Sequence, residues 1–132
     1  MPSNKILLFT ADTSMRINIT SCLYKAGFLV VPAAHGIGAL DIIHNEKPVL
    51  IILDMELPGL NSLAIIRLLR AEEVNLRIPV IMFGVNANEE EVLLGLEVGA
   101  DLCLLEAFNP LVFVARVRSL IRRSEQSNMQ CV

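Results

Sequence analysis

Hydrophobic positions along this chain alternate between two patterns. Short continuous apolar runs occur at Lys5 to Thr10, Phe28 to Val31, Val49 to Asp54, Val80 to Phe83 and Leu102 to Leu105. Their length and β-branched content are those of strands buried on both faces, as in a parallel sheet covered by helices. Between them the apolar positions recur at helical spacing. Met15, Ile19, Cys22, Leu23 and Ala26 fall on one helical face, and Gly27 follows as a stop signal. Further helices are predicted over Gly36 to Asn45, Ser62 to Glu72, Asn88 to Val98 and Pro110 to Arg123, with Pro110 suited to a first helical position. Five strand–helix repeats joined by right-handed crossovers predict an α/β fold with a doubly wound, five-stranded parallel sheet and five helices. The strand order 2-1-3-4-5 suits five such units and puts a switch point between the first and third strands.

Composition limits the setting. At 132 residues with 54% hydrophobic, the chain is long enough for one well-covered core and short for two. Residues 1–123 are expected to form the domain, and the polar stretch SEQSNMQCV from 124 to 132 to be a linker or flexible tail. No run approaches about 18 apolar residues, and MPSNKILLFT lacks the pattern of a signal peptide, so a cytoplasmic protein without a membrane partner is expected. Cys22, Cys103 and Cys131 make no CxxC pair or even framework, so disulfides and structural zinc have no support, and Cys22 and Cys103 read as small buried hydrophobes. A net charge of −3 offers nucleic acid no basic footprint.

The segment LIILDMELPG poses the chemical question, because a wholly buried strand ends on a carboxylate, Asp54, just before a Pro-Gly turn. Asp54 either caps that turn or faces the crevice at the switch point, where folds of this kind bind ligands. His35 and His44 have no Cys, Asp or Glu at ligand spacing and read as surface or packing residues. Thr10-Ala11-Asp12-Thr13-Ser14 is a hydroxyl-rich turn entering a helix, read as an N-cap using Thr13 or Ser14. A phosphate seat of the flavodoxin kind is the alternative; the turn lacks glycine, and no Trp and one Tyr leave little to stack on a flavin.

The segments KILLFTADTSMR, VLIILDMELPGLNSLAIIRLLR, IPVIM, GLEVGAD and FNPLVFVARVRSLIRR, at these spacings, resemble the receiver domain of bacterial two-component response regulators over about Lys5 to Arg123. The resemblance implies that Asp54 is the phosphoacceptor position, served by a histidine kinase. Its ending is most similar to receivers that precede a winged-helix DNA-binding domain, so DNA contact would come only through a domain outside this chain. In that family an acid pair after the first strand helps hold Mg²⁺, a Ser or Thr after the fourth strand bonds the phosphoryl oxygen, and a Lys after the fifth pairs with it. Here those positions carry Thr10 and Ala11, with Asp12 displaced by one; Gly84; and Glu106, followed by Ala107 in place of proline.

Exchanging an attracting Lys for a repelling Glu matters energetically, since unit charges about 4 Å apart interact by about 4 kcal/mol at an effective dielectric near 20. The expectation is a degenerate receiver: no enzyme, no bound cofactor, acting in transcription regulation as a phosphorylation-independent dimerisation or protein-interaction module. The alternative is a conventional receiver phosphorylated on Asp54 with Mg²⁺. Asp12, Asp54 and Glu56 read as a solvated acidic rim, with a weak metal site at Asp12 and Asp54 as the alternative. For the homodimer, the family's pairing face of fourth helix, fifth strand and fifth helix maps onto Asp101 with Arg116, Glu97 with Arg118, and an apolar pair, Val92 with Val112, where the family has an ion pair.

Overall fold

A computed structural model describes residues 4–72, 77–84, 87–104 and 109–130, with side chains described through Glu125. The elements alternate as β1 (Lys5–Phe9), α1 (Thr13–Lys25), β2 (Leu29–Ala33), α2 (Ala39–Glu46), β3 (Leu50–Asp54), α3 (Ser62–Ala71), β4 (Val80–Phe83), α4 (Glu89–Val98), β5 (Leu102–Leu104) and α5 (Pro110–Gln130). The strands form one parallel sheet in the order β2-β1-β3-β4-β5, the order that suits five strand–helix units.

Side chains alternate across the pleat and build a core on each face. Leu7, Phe9, Ile51, Leu53, Val80 and Met82 pack with Ile43, Ile65, Ile66 and Leu69. Ile6, Leu8, Leu50, Ile52, Ile81 and Phe83 pack with Ile19, Leu23, Phe113 and Val117. Every residue of β3 is buried, which explains its unbroken apolar run. Each fully buried Leu, Ile or Phe contributes about 1.5–3 kcal/mol, so these layers, not the polar site, dominate stability.

Several boundaries differ from the sequence reading for local reasons. Asp12, not Thr13 or Ser14, caps α1, its Oδ1 accepting from Met15 N–H at 3.0 Å. At the other end Gly27, at φ +96°, donates to Tyr24 O while Phe28 N–H donates to Leu23 O, so Phe28 belongs to the helix stop and β2 begins at Leu29. The strand β2 tolerates Pro32 because it lies at the sheet edge. Gly36 N–H is tied to Pro58 O and Gly38 takes φ +75°, delaying α2 to Ala39. The last helix, expected to end at Arg123, continues to Gln130. Among the described residues no helix is long and apolar enough to cross a membrane.

Candidate functional site

The switch point brings three strand ends together. Phe9 lies opposite Leu53 and Asp54 opposite Phe83, so Thr10, Asp54 and Gly84 are neighbours at the carboxyl edge of the sheet. Thr10 and Asp54 are buried, at 2% and 8% exposure. A carboxylate so placed needs hydrogen bonds on both oxygens. Thr10 Oγ1 donates to Asp54 Oδ2 at 2.7 Å, and Glu56 N–H donates to Asp54 Oδ1 at 2.9 Å. The Thr10 hydroxyl in turn accepts from Asp12 N–H at 3.1 Å. The turn after Asp54 is tied down by Ser62 Oγ and Leu57 N–H, both donating to Asp54 O. The chain from Asp12 through Thr10 to Asp54 is thus a continuous hydrogen-bonded strut across the crevice.

The donor set does not suit Mg²⁺. This ion requires several oxygens in near-octahedral geometry, whereas Ala11 has no side-chain donor, Asp12 turns its carboxylate to cap α1, and each Asp54 oxygen already accepts one hydrogen bond. Glu56 is exposed at the rim. Among the described residues no three His, Cys, Asp or Glu side chains gather where an ion could be held. At Gly84 the missing hydroxyl position is crowded: a Cβ there would lie 2.9 Å from Met55 Sδ and 3.0 Å from Met55 Cβ. Glu106 and Ala107 lie outside the described residues.

The dimer-face residues fall on two differently used surfaces. Val112 is 49% exposed and Val92 partly buried, with Glu97 and Arg116 exposed. Leu93 and Leu96 on α4 and Leu111 on α5 are also exposed, the last at 82%. Sequence reading missed them, although the run VLLGL places apolar residues on more of the helix than one buried face requires. Asp101, by contrast, is engaged within the chain, its Oδ2 accepting from Val80 N–H at 2.8 Å and from Arg70 Nη2 at 3.0 Å. Arg118 turns toward α1, donating from Nη2 to Ala26 O at 3.1 Å, where a cation suits the carboxyl end of that helix. The expected partners of Arg116 and Glu97 are therefore already occupied. Cys103 on β5 is half-buried; burial pushes its thiol pKa up and keeps it a neutral packing group.

Arg70 was not foreseen. Its guanidinium lies against Gly99, donating twice to Gly99 O, once to Ile78 O and once to Asp101. Burial lowers its pKa, with Asp101 opposing that effect. A Cβ at Gly99, whose φ is +126°, would lie 2.7 Å from Arg70 Cγ, so glycine there serves both the turn and the arginine.

Comparison with known proteins agrees with this fold. The chain is 35% identical over 121 residues to the DNA-binding response regulator MtrA of Mycobacterium tuberculosis, covering 92% of this chain and 52% of the relative. It is 34% identical over 124 residues to the phosphate regulon transcriptional regulatory protein PhoB of Pseudomonas aeruginosa, covering 94% and 54%. The chain thus spans about half the length of the curated relatives it matches. Among solved structures, the BeF3-activated receiver domain of RstA from Klebsiella pneumoniae superposes with a TM-score of 0.82 at 31% identity, covering 90% of this chain and 99% of that one. A CheY-like receiver domain from Methanospirillum hungatei shares the fold at a TM-score of 0.84 and 23% identity, covering 96% and 99%. Residues 6–118 match the response regulator receiver domain family, and the chain belongs to that family.

Proposed function

We propose that this receiver domain works without phosphorylation, as a constitutive dimerisation or protein-interaction module in transcription regulation. One observation carries the reading: Asp54 is hydrogen-bonded on both carboxylate oxygens, by the Thr10 hydroxyl and by Glu56 N–H. Phosphoryl transfer depends on positioning and on neutralising charge with a metal and a cation. Thr10 and Ala11 stand where the family's metal-binding acids would be, Gly84 has no hydroxyl, and Glu106 replaces the lysine. Asp54 is then a structural strut, held ready by the fold but without the partners of a phosphoacceptor. In this reading residues 1–123 are the module and 124–132 connect it onward; DNA contact would belong to a further domain, as the names of the relatives suggest.

The same proposal assigns dimerisation to the face of α4, β5 and α5. Val92, Leu93 and Leu96 on α4 with Leu111 and Val112 on α5 supply an apolar centre, flanked by Glu97 and Arg116. Exposed ion pairs contribute only about 0.2–1 kcal/mol each, whereas burying apolar side chains contributes about 1.5–3 kcal/mol apiece, so a dimer built this way needs no phosphate to hold it. A two-fold axis would make each contact twice.

Incubation with acetyl phosphate and Mg²⁺ followed by intact-mass measurement tests the central claim. The expected spectrum is unchanged. A stable mass increase of one phosphoryl group that disappears in Asp54→Asn would establish the conventional phosphoacceptor instead.

A further inference from the structure

The helices α1 and α5 carry more apolar surface than the core uses. Ile19 and Leu23 of α1 and Phe113 and Val117 of α5 are buried on the sheet. Beside them a second stripe on each helix, Met15, Cys22 and Ala26 on α1 and Leu111, Val114 and Ala115 on α5, lines an open groove of about 700 Å³. Two contacts tie the helices along it: Cys22 Sγ donates to Pro110 O at 3.7 Å, and Arg118 Nη2 donates to Ala26 O at 3.1 Å. Burial pushes the Cys22 thiol pKa up, with Lys25 opposing that effect, so the thiol lines the wall as a neutral group. The groove has the size and the character of small-ligand sites, which are mostly apolar with a few placed polar groups.

Its charges gather at one end. Lys25 and Arg118 are both exposed there, and among the described residues no carboxylate pairs with either. The carboxyl end of α1, to which Arg118 is bonded, sets only about half a negative charge against these two cations. The acidic side chains outside the described residues are Glu73 and Glu106. Glu73 follows Glu72 at the end of α3, a helix packed on the other face of the sheet. Glu106 precedes Pro110, where α5 begins, about 12 Å along that helix from Arg118. We propose that this groove binds an amphiphilic carboxylate, with its acyl chain along the apolar walls and its head between Lys25 and Arg118. A neutral chain would leave the two cations unmatched, and a small anion would leave the apolar walls in water, so the lining selects a ligand that carries both parts. The site rests on neither the reading of Asp54 nor the dimer; Leu111 is the one described lining residue that it shares with the proposed dimer face.

Isothermal titration of the whole chain with octanoate, decanoate and dodecanoate, each below the concentration at which it forms micelles, tests the site. Saturable binding with one equivalent is expected, tightening about twofold per added methylene as the chain extends along a half-open groove. Joint replacement Lys25→Gln and Arg118→Gln should weaken decanoate about tenfold or more, whereas Lys25→Arg with Arg118→Lys, which keeps both charges, should retain most of the affinity. Ala115→Trp, at an exposed position on α5, should fill the groove and weaken binding by a similar factor. Decanol and decyltrimethylammonium should each bind about tenfold or more weakly than decanoate. The proposal is overturned by heat that does not saturate, by affinity independent of chain length, by decanol or the ammonium binding as well as decanoate, or by Gln and Trp variants that bind as the wild type does. Circular dichroism of each variant separates loss of the site from loss of the fold.

Discussion

Replacing Thr10 with valine keeps the volume and β-branching of the side chain but deletes the hydroxyl that bridges Asp12 N–H and Asp54 Oδ2. Asp54 is only 8% exposed, so its second oxygen would be left with little access to water. A hydrogen bond to a charged group contributes about 1.5–3 kcal/mol, and stranding a buried acceptor moves the cost toward the upper end. The peptide N–H of Asp12 also loses its acceptor, but near the surface, where water substitutes. The expected loss is therefore about 2–3 kcal/mol, which for a domain of this size lowers the melting temperature by roughly 6–12 °C. Urea denaturation at fixed protein concentration reads the free energy directly, and the cycle through Asp54→Asn and the double variant isolates the pairwise part. Coupling of about 1 kcal/mol or more is expected, because the two side chains form one network. If Thr10→Val costs less than about 0.5 kcal/mol and shows no coupling to Asp54→Asn, the strut is a coincidence of geometry and the account of Asp54 as a structural residue fails.

Gly84→Ser should destabilise by about 1–3 kcal/mol through crowding against Met55. Combination with Met55→Ala should recover part of that loss in thermal melts, and strict additivity of the two would refute the crowding. Arg70→Ala should cost about 2–4 kcal/mol in urea denaturation, because Gly99 O, Ile78 O and Asp101 lose their donor together; Arg70→Lys should not restore it, since an ammonium cannot span both carbonyls. Sedimentation should show the wild type dimeric at tens of micromolar with or without beryllofluoride, and Val112→Glu monomeric. A wild type that is monomeric, or that pairs only with the phosphate mimic, would remove the constitutive dimer.

The parallel sheet and both core layers were legible in the order of residues because they depend on local apolar runs and on a crossover rule that applies to any such alternation, whereas alternation does not fix the strand order, for which 2-1-3-4-5 was only the order that suits five such units. Runs such as LIILD have no polar face to offer water, so burial on both sides was implied before any partner was known. The position of Asp54 at the switch point followed from that strand order, and the departures at Thr10, Ala11 and Gly84 were legible only through the resemblance to the receiver family. What replaced the missing chemistry was not. That Thr10 donates to Asp54 depends on two strand ends 44 residues apart meeting at one register, which is a property of the sheet.

The choice of Asp12 as the cap of α1 turned on a single residue's backbone entering in extended conformation, beyond the resolution of a composition argument. The extension of α5 past Arg123 has a different cause: once a helix is nucleated, adding a residue costs little, so a polar stretch without an apolar face can still continue it. Long charged side chains were the least legible. Asp101 and Arg118 carry complementary charges for a partner across an interface, yet each reaches an acceptor or donor within the chain that only the packing of α1, α3, α4 and α5 brings near. Arg70 is the extreme case, because its carbonyl partners are backbone atoms of the turns before β4 and after α4, and side-chain patterning in the sequence carries no trace of where a backbone carbonyl will point.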